Sequence, residues 1–176
     1  MTGSSIAVAL VHYPVLNRQG QTTATSITTL DIHDFARTCA FYGVGAVYLV
    51  HPAKGMHAFV DDVCGYWKGR DGVCRNPDRS TVLDAVEVVS CLEDVMQRDD
   101  YQLWYTSARC VSDETDIRKL ADITGKHLIV FGTGSGLDEQ NMPKPNGWLS
   151  AIKGEGKVRH LSVRAALAIY LDRLFR

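Results

Sequence analysis

Residues 128–137 read LIVFGTGSGL, an apolar run followed at once by a turn that holds three glycines. A short apolar run of this kind, starting at His127, predicts a buried strand of a parallel sheet. The glycines let backbone amides come close to a ligand, although a plain tight turn explains them equally well. Neither common phosphate-binding motif fits, because no Lys-Ser/Thr pair follows Gly136 and Leu137 stands where GxGxxG needs its third glycine. Nucleotide binding of either kind is therefore disfavoured.

On both sides of this turn, short β-branched or apolar runs alternate with amphipathic stretches. Such alternation is typical of βα units and predicts an α/β protein, with a mostly parallel sheet flanked by helices. Residues 69–80 and 141–147 are predicted loops, and no linker divides the chain, so we expect one domain over residues 1–176. The predicted strands are 6–11, 46–50, 86–90, 103–106, 127–131 and 148–152, and the predicted helices are 31–42, 55–68, 91–98, 113–124 and 161–175.

The composition limits the kinds of protein that this chain can be. Its 176 residues are 45% hydrophobic, as in an ordinary globular domain, and the net charge of -1 gives no overall basic field for nucleic acid or membrane. No stretch approaches the roughly 18 apolar residues of a membrane span, and the N-terminus lacks the features of a signal peptide, so we expect a cytoplasmic protein. The five cysteines are scattered without a CxxC pair, which indicates neither disulfides nor a metal site.

Two single residues near the start of the chain are candidates for a functional role. His12 follows the first predicted strand, at the edge where α/β sheets often bind ligands. Arg37 lies off the apolar stripe of its predicted helix, where it can reach solvent, a ligand or another subunit. His33 and Asp34 suit the start of the same helix, as partners of its dipole and cap. A structural histidine and a surface arginine are the simpler interpretations of His12 and Arg37.

Two basic segments are candidates for contact with an anionic partner. Residues 153–164 form a flexible basic stretch that enters the terminal helix, where Ser162 has the simpler interpretation of a helix cap. The second segment contains a cluster of four basic residues, Lys68, Arg70, Arg75 and Arg79. Only Asp71 and Asp78 oppose their charge, so the cluster is a weak candidate surface for RNA.

Three segments taken together resemble a known family. IHDFARTCAFYGV at 32–44, LIVFGTGSGL at 128–137 and HLSVRAALAIYLDRL at 160–174 are similar, in order and spacing, to the three motifs of the SPOUT class of RNA methyltransferases. ALVHYPV at 9–15 and TSITTLDIHD at 25–34 look most like a subfamily of small knotted domains, some of them fused to a tRNA (guanine-N1) methyltransferase. The resemblance implies a C-terminal trefoil knot that binds S-adenosylmethionine, and a homodimer with the terminal helix at its interface.

The resemblance also implies roles for particular residues. Arg37 matches the catalytic arginine of the first motif, although Asp31 replaces an asparagine and His33 a glycine. The second motif lacks its usual glutamate, and in the third motif Ser162 replaces an asparagine and Arg164 a serine. The implied cofactor contacts, which match the family better than the catalytic set, are Gly132, Thr133, Gly134, Gly136, Ile152, Leu161, Ser162 and Val163.

These residues favour one function over two others. The leading interpretation is methyl transfer from S-adenosylmethionine to RNA, either transfer RNA or ribosomal RNA, without a metal. The alternatives are a cofactor-binding or RNA-binding module that has lost catalysis, and an unrelated α/β enzyme. The leading interpretation predicts that Gly134→Val abolishes cofactor binding, because the larger side chain would fill the space of the adenosine.

Overall fold

A seven-stranded sheet crosses the protein, and its strand pairings are all parallel over the described part of the chain. The structure, a computed structural model, describes residues 4–176. Across the sheet the strands follow the order β5-β4-β1-β8-β6-β9-β7, and β2 and β3 form a separate antiparallel hairpin. Their bounds are β1 Ser4–Val11, β2 Val15–Leu16, β3 Thr22–Thr23, β4 Val47–Val50, β5 Val86–Val89, β6 Tyr101–Tyr105, β7 Glu114–Thr115, β8 Gly125–Gly132 and β9 Gly147–Leu149.

Helices cover both faces of this sheet. The helices are α1 Thr29–Phe41, α2 Lys54–Lys68, α3 Arg70–Arg75, α4 Pro77–Leu83, α5 Leu92–Met96 and α6 Val163–Phe175. The larger apolar core lies between the sheet and α1, α2, α4 and α6. The opposite face is covered by α5 and by the loop that follows β8. Within residues 4–176, no helix has the length and apolar character that crossing a bilayer requires.

The central pair of strands positions the turn that opened the sequence analysis. β1 and β8 pair over their full lengths, from Ser4 opposite Gly125 to Val11 opposite Gly132. Apolar residues fill both faces of these strands, because a central parallel strand is covered on each side. The carboxyl ends of both strands therefore lie together, with His12 beside the turn that begins at Gly132.

Most predicted elements are confirmed. The six predicted strands correspond to β1, β4, β5, β6, β8 and β9, although β9 ends at Leu149 instead of residue 152. The predicted helices 31–42, 55–68, 91–98 and 161–175 correspond to α1, α2, α5 and α6. Gly43 adopts a φ of 75° directly after α1, which is the left-handed conformation that ends many helices.

The predicted loop at 69–80 is wrong, because this segment forms α3 and the start of α4. The side chain of Asn76 accepts a hydrogen bond from the Arg79 amide at 3.1 Å and so caps α4. Pro77 occupies the first turn of α4, where a helix needs no N–H group from it. The residues that led to the predicted loop, Asn76 and Pro77, are therefore the N-cap and the first residue of a helix.

The predicted helix at 113–124 is also wrong. This segment contains β7 and a 3-10 turn, Ile117–Ala121. Asp113 has a φ of 61°, outside the helical region, and the side chain of Asp116 accepts the Arg118 amide at 3.0 Å. Ile117 and Leu120 are both buried, and their spacing fits a single 3-10 turn as well as it fits an α-helix.

Candidate functional site

The candidate site lies at the carboxyl ends of the central strands. After β1 the chain moves to β4 on one side, whereas β8 lies on the other side of β1. Ligands of open α/β sheets bind at such a point, where successive strands lie on opposite sides. Two sequence candidates, His12 and the glycine turn, meet there.

The glycine turn is held against the β2–β3 hairpin. The amide of Ser135 donates to the carbonyl of Leu16 at 2.8 Å, and the Leu16 amide donates to the carbonyl of Gly136 at 2.9 Å. Beyond the turn, the buried carboxylate of Asp138 accepts a hydrogen bond from the Thr22 hydroxyl at 2.6 Å. The turn is therefore a fixed loop, bonded on both sides to one hairpin.

The glycines of this loop are needed for its backbone shape. Gly134 has a φ of 60° and Gly136 has a φ of 120°, conformations that other residues rarely adopt. A Cβ atom on Gly134 would lie 2.8 Å from the carbonyl oxygen of Leu16. A larger residue at position 134 would therefore strain the contact with β2. This gives a reason why substitution of Gly134 disturbs the loop that differs from the clash with adenosine predicted from the sequence.

A chain of three side chains connects the loop to β1. The Thr133 hydroxyl lies 3.0 Å from the carbonyl of Val11, the Thr25 hydroxyl lies 2.5 Å from that of Thr133, and His12 Nδ1 lies 3.0 Å from the Thr25 hydroxyl. A carbonyl only accepts, so Thr133 donates to Val11 and Thr25 must donate to Thr133. His12 then has to donate from Nδ1, which fixes its neutral tautomer.

The other ring nitrogen of His12 faces the first turn of α1. His12 Nε2 is buried without a hydrogen-bond partner and lies 3.9 Å from a carboxylate oxygen of Asp31. Burial lowers the pKa of His12 to about 4, and the Asp31 carboxylate opposes this only in part. The histidine is therefore neutral at physiological pH.

Asp31 has a role that its position in the first motif did not predict. Its carboxylate accepts hydrogen bonds from the Thr28 amide at 3.0 Å and the Thr28 hydroxyl at 2.6 Å, which completes a capping box at the start of α1. The spacing of Thr28 and Asp31 was the sequence signal for this cap. Thr25 and Asp138 had no such signal, since their partners are distant in sequence.

The structure brings the three motif segments together. Arg164, in the first turn of α6, forms an ion pair with Asp34 of α1 at 3.5 Å. The ring of Phe131 at the end of β8 lies between Phe35 of α1 at 6.0 Å and Tyr170 of α6 at 5.8 Å, both edge to face. The first helix, the glycine strand and the terminal helix thus share one core.

The other predicted site residues lie on two different parts of the surface. Arg37 is exposed on α1, Ile152 is half-buried after β9, and Leu161 is 46% exposed. Ser162 is the N-cap of α6, and its hydroxyl accepts the Ala165 amide at 3.3 Å. The simpler interpretation of Ser162 as a cap is therefore confirmed.

The predicted RNA surface is divided into separate parts. Lys68 forms an ion pair with Asp84 at 3.3 Å, and the Arg79 guanidinium lies over the ring of Trp67 at 4.2 Å. Arg70 and Arg75 are exposed at the two ends of α3. Of the four cations, Arg79 is the one that interacts with α1, through His33.

A parallel sheet with a glycine loop hydrogen-bonded at its carboxyl edge defines an α/β protein, and proteins of this class bind small ligands at that edge. The particular family follows from comparison with known proteins. A family model described as SAM-dependent RNA methyltransferase matches residues 5–176, so the chain belongs to that family.

Individual relatives agree with this assignment. The chain is 36% identical over 181 residues to the tRNA (guanine-N(1)-)-methyltransferase of Oleidesulfovibrio alaskensis, covering 98% of this chain and 42% of that relative. It therefore spans about two fifths of that relative's length. A protein of Aquifex aeolicus described as uncharacterized is 33% identical over 185 residues, covering 99% of this chain and 90% of that protein.

The fold is also found among solved structures. The SpoU methyltransferase AviRb from Streptomyces viridochromogenes, solved in complex with the cofactor AdoMet, superposes with a TM-score of 0.63 at 14% identity. The match covers 99% of this chain and 58% of AviRb. The mostly parallel sheet flanked by helices is thus the fold of the SPOUT methyltransferases, as the sequence predicted.

The residues around the loop fit S-adenosylmethionine, the methyl donor of this family. A neutral, flat adenine needs backbone donors and acceptors together with apolar surface. Apart from its two chain neighbours, no atom of residues 4–176 lies within 4 Å of the position that a Cβ atom on Gly136 would take. Residues 153–160 are exposed, and none of their amides donates to another described backbone group. Val158 and Leu161 add exposed apolar surface, 70% and 46% of each residue.

Proposed function

We propose that this protein transfers the methyl group of S-adenosylmethionine to transfer RNA. The observation that carries the proposal is the convergence of α1, the glycine loop and α6 at one edge of the sheet, within a family of RNA methyltransferases. Transfer RNA is preferred over ribosomal RNA because relatives named tRNA (guanine-N(1)-)-methyltransferase are 36% and 35% identical. The family membership favours an active enzyme over a binding module that has lost catalysis.

The proposed cofactor contacts are backbone groups on three segments. When bound, S-adenosylmethionine supplies a methyl group already activated on a sulfonium. The glycine loop, hydrogen-bonded to β2 and, through Thr25, to His12, keeps a fixed shape against it, and backbone groups of Ile152 and of residues 161–163 donate to and accept from the adenine. The residues proposed to hold it are Gly132, Thr133, Gly134, Gly136, Ile152, Leu161, Ser162 and Val163.

Arg37 is the proposed catalytic residue, which orients the acceptor RNA. Its guanidinium is exposed on α1 and forms no ion pair with a carboxylate of residues 4–176. An arginine is a poor base at pH 7, so Arg37 contributes its positive charge and aligns the acceptor RNA. Alignment of donor and acceptor is what methyl transfer chiefly requires.

The proposal is tested by cofactor binding and methyl transfer together. We expect the purified protein to bind S-adenosylmethionine with micromolar affinity, about -8 kcal/mol, by calorimetry. Arg37→Ala should keep that affinity within about threefold and slow transfer to RNA from a deletion strain at least a hundredfold, or about 2.7 kcal/mol. Arg118→Ala is the control, an exposed arginine on the 3-10 turn. Absence of cofactor binding would overturn the proposed function, and parent-like transfer by Arg37→Ala would overturn the role of Arg37.

The proposal includes three features of the whole protein. Residues 1–176 form one methyltransferase domain with a C-terminal knot. The protein acts in the cytoplasm, where transfer RNA is modified. It is a homodimer. The dimer is supported by an apolar patch at the ends of α1 and α6. Phe41 is 80% exposed, its ring lies 4.9 Å from that of Tyr42, and Tyr42 stacks on Phe175 at 5.8 Å.

A further inference from the structure

Four side chains from three helices meet on the surface beside α1. Arg79 of α4 lies over the ring of Trp67 of α2, with 4.2 Å between the guanidinium carbon and the ring centre. The imidazole of His33 on α1 meets the same indole edge to face, with ring centres 5.9 Å apart. Arg37 lies one helical turn after His33. We refer to His33, Arg37, Trp67 and Arg79 as the arginine cluster.

The arginine cluster has positive charge without a matching carboxylate. Across residues 4–176, neither Arg37 nor Arg79 forms an ion pair. Asp34 of α1 pairs with Arg164 at 3.5 Å, and Asp84, which follows α4, pairs with Lys68 at 3.3 Å. The cluster can therefore receive an anion without displacing an internal partner.

Two buried atoms of the arginine cluster also have no partner. Arg79 Nε and His33 Nδ1 are both buried and make no hydrogen bond within the described chain. Buried polar atoms of this kind are rare in folded proteins and call for a ligand or a water. Burial lowers the pKa of His33, and the charges of Arg79 and Arg37 lower it further, while the Asp34 carboxylate opposes them in part.

We propose that Arg37 and Arg79 together bind one backbone phosphate of the RNA, next to the nucleotide that is methylated. This inference rests on the proposed function, which supplies the RNA. A guanidinium presents paired N–H donors in the geometry of a phosphate, and two of them on separate helices can grip one phosphate from two sides. Trp67 holds Arg79 in place before the ligand arrives, which reduces the entropy lost on binding.

The location of the arginine cluster agrees with this role. Its helix α1 is linked to α6 by the ion pair of Asp34 and Arg164, and its first turn faces His12, which is linked through Thr25 to the glycine loop. Because Arg37 is the proposed catalytic residue, a phosphate held here would adjoin the nucleotide that is methylated. Tyr66 is 45% exposed and meets the Trp67 ring edge to face at 5.1 Å, so an aromatic surface adjoins the cluster. Base stacking on such a surface is common in single-strand recognition.

The test measures binding of a fluorescein-labelled decauridylate to the purified full chain as a function of salt. Binding to single strands weakens with log salt at a slope of about -0.7 per phosphate contact. We expect Arg37→Gln and Arg79→Gln each to weaken binding about tenfold and to reduce the slope by about 0.7. Arg118→Gln removes an exposed arginine of the 3-10 turn Ile117–Ala121, outside the arginine cluster, and should change neither quantity by a comparable amount.

The double variant separates one shared phosphate from two. If both arginines grip the same phosphate, Arg37→Gln with Arg79→Gln lowers the slope by about 0.7 in total, whereas two separate phosphates would give about 1.4 and overturn the proposal. Equal effects of all three single variants would overturn it as well. Arg37 is exposed and forms no ion pair within residues 4–176, so its variant stays informative even where Arg79→Gln unfolds.

The outcome is independent of the cofactor measurement. Calorimetry with S-adenosylmethionine should give the same affinity for the parent and for Arg79→Gln, because Arg79 lies outside the glycine loop and the other proposed cofactor contacts. Absence of cofactor binding by the parent would refute the proposed function, while the salt slopes would still decide whether the arginine cluster binds phosphate. An oligomer with methylphosphonate linkages carries no phosphate charge, so we expect the parent and the double variant to bind it with the same affinity.

Discussion

At the scale of single residues, His12 makes the stability of the fold depend on pH. Its folded pKa of about 4 lies below the ordinary value of 6.5, because burial disfavours the charged ring. The unfolded chain therefore takes up a proton first as the pH falls. The contribution of His12 to stability is complete above pH 6.5 and is lost between about 6.5 and 4, which amounts to about 3 kcal/mol.

The variant His12→Asn removes this titration and keeps a side-chain donor near the position of Nδ1. We expect the difference in unfolding free energy between pH 7 and pH 4.5 to be smaller in this variant by about 2 kcal/mol. Urea unfolding followed by tryptophan fluorescence measures it. The exposed Gln19, which does not titrate, serves as the control, and Gln19→Asn should show the same difference as the parent. A His12→Asn protein with the parent's full pH dependence would show that His12 does not titrate in this range.

The glycine loop gives a second prediction at this scale. Gly134→Ala combines a strained positive φ with a contact of 2.8 Å to the Leu16 carbonyl, so it should destabilise the fold by about 1 to 3 kcal/mol. Because the shape of the loop changes, the affinity for S-adenosylmethionine should fall at least about tenfold. Gly45→Ala is the matched control, since its backbone is ordinary and its Cβ would meet nothing within 4 Å. Thermal unfolding and calorimetry measure the two effects, and parent-like values for Gly134→Ala would contradict the argument.

Sequence reasoning found the glycine loop but not the hydrogen bonds that hold it. The run of glycines is a local signal, and so is the capping box of Thr28 and Asp31. The chain from Thr133 through Thr25 to His12 joins residues 108 and 13 positions apart, which no local pattern encodes. The same limit applies to Arg79, whose neighbour Trp67 could be recognised only after α4 was known to fold back onto α2.

At the scale of elements, α6 begins at a residue with two candidate roles. Ser162 caps α6, and it is also a proposed cofactor contact. Ser162→Ala should lower the unfolding free energy by about 1 kcal/mol and weaken cofactor binding several-fold, because the frayed first turn no longer holds the backbone groups of residues 161–163. Ser162→Asn keeps the cap, so both quantities should stay close to those of the parent.

Two measurements on the same proteins decide between the roles. Thermal unfolding reports the cap, and calorimetry with S-adenosylmethionine reports the contact. A Ser162→Asn protein that is stable but has lost the cofactor would show that the hydroxyl itself makes a contact that the amide cannot replace. Ser112→Ala, at an exposed serine outside any helix, should change neither measurement.

The elements that were predicted wrongly share a physical cause. Asn76 and Pro77 are typical of loops, yet in this order they are also a cap and a first helical residue, so the pattern is ambiguous until packing decides. In residues 113–124, the spacing of Ile117 and Leu120 fits one turn of an α-helix or of a 3-10 helix. The chain then enters β8, so no second helical turn follows. Long periodic elements such as α1 and α2 carry enough repeats to avoid this ambiguity.

At the scale of the whole molecule, the aromatic patch predicts association of two copies. Sedimentation at micromolar concentration should give about twice the chain mass of 19.4 kDa. Phe41→Asp puts a charge at the most exposed of the large apolar residues, and it should shift the protein to a monomer. Met96→Asp, on α5 at the opposite face of the sheet, is the control and should leave the dimer intact. A parent protein that is monomeric and binds the cofactor would refute the proposed dimer.

The pairing of β1 with β8 also affects how the chain folds during synthesis. Val11 pairs with Gly132, so β1 waits for its central neighbour until β8, which ends at Gly132, has been made. β1, β4 and β5 can pair earlier, since β5 ends at Val89. Until β8 arrives, one edge of β1 stays open to wrong partners, and long-range parallel pairing of this kind forms slowly. The glycine loop follows β8, so it can take its shape only after this late pairing has formed.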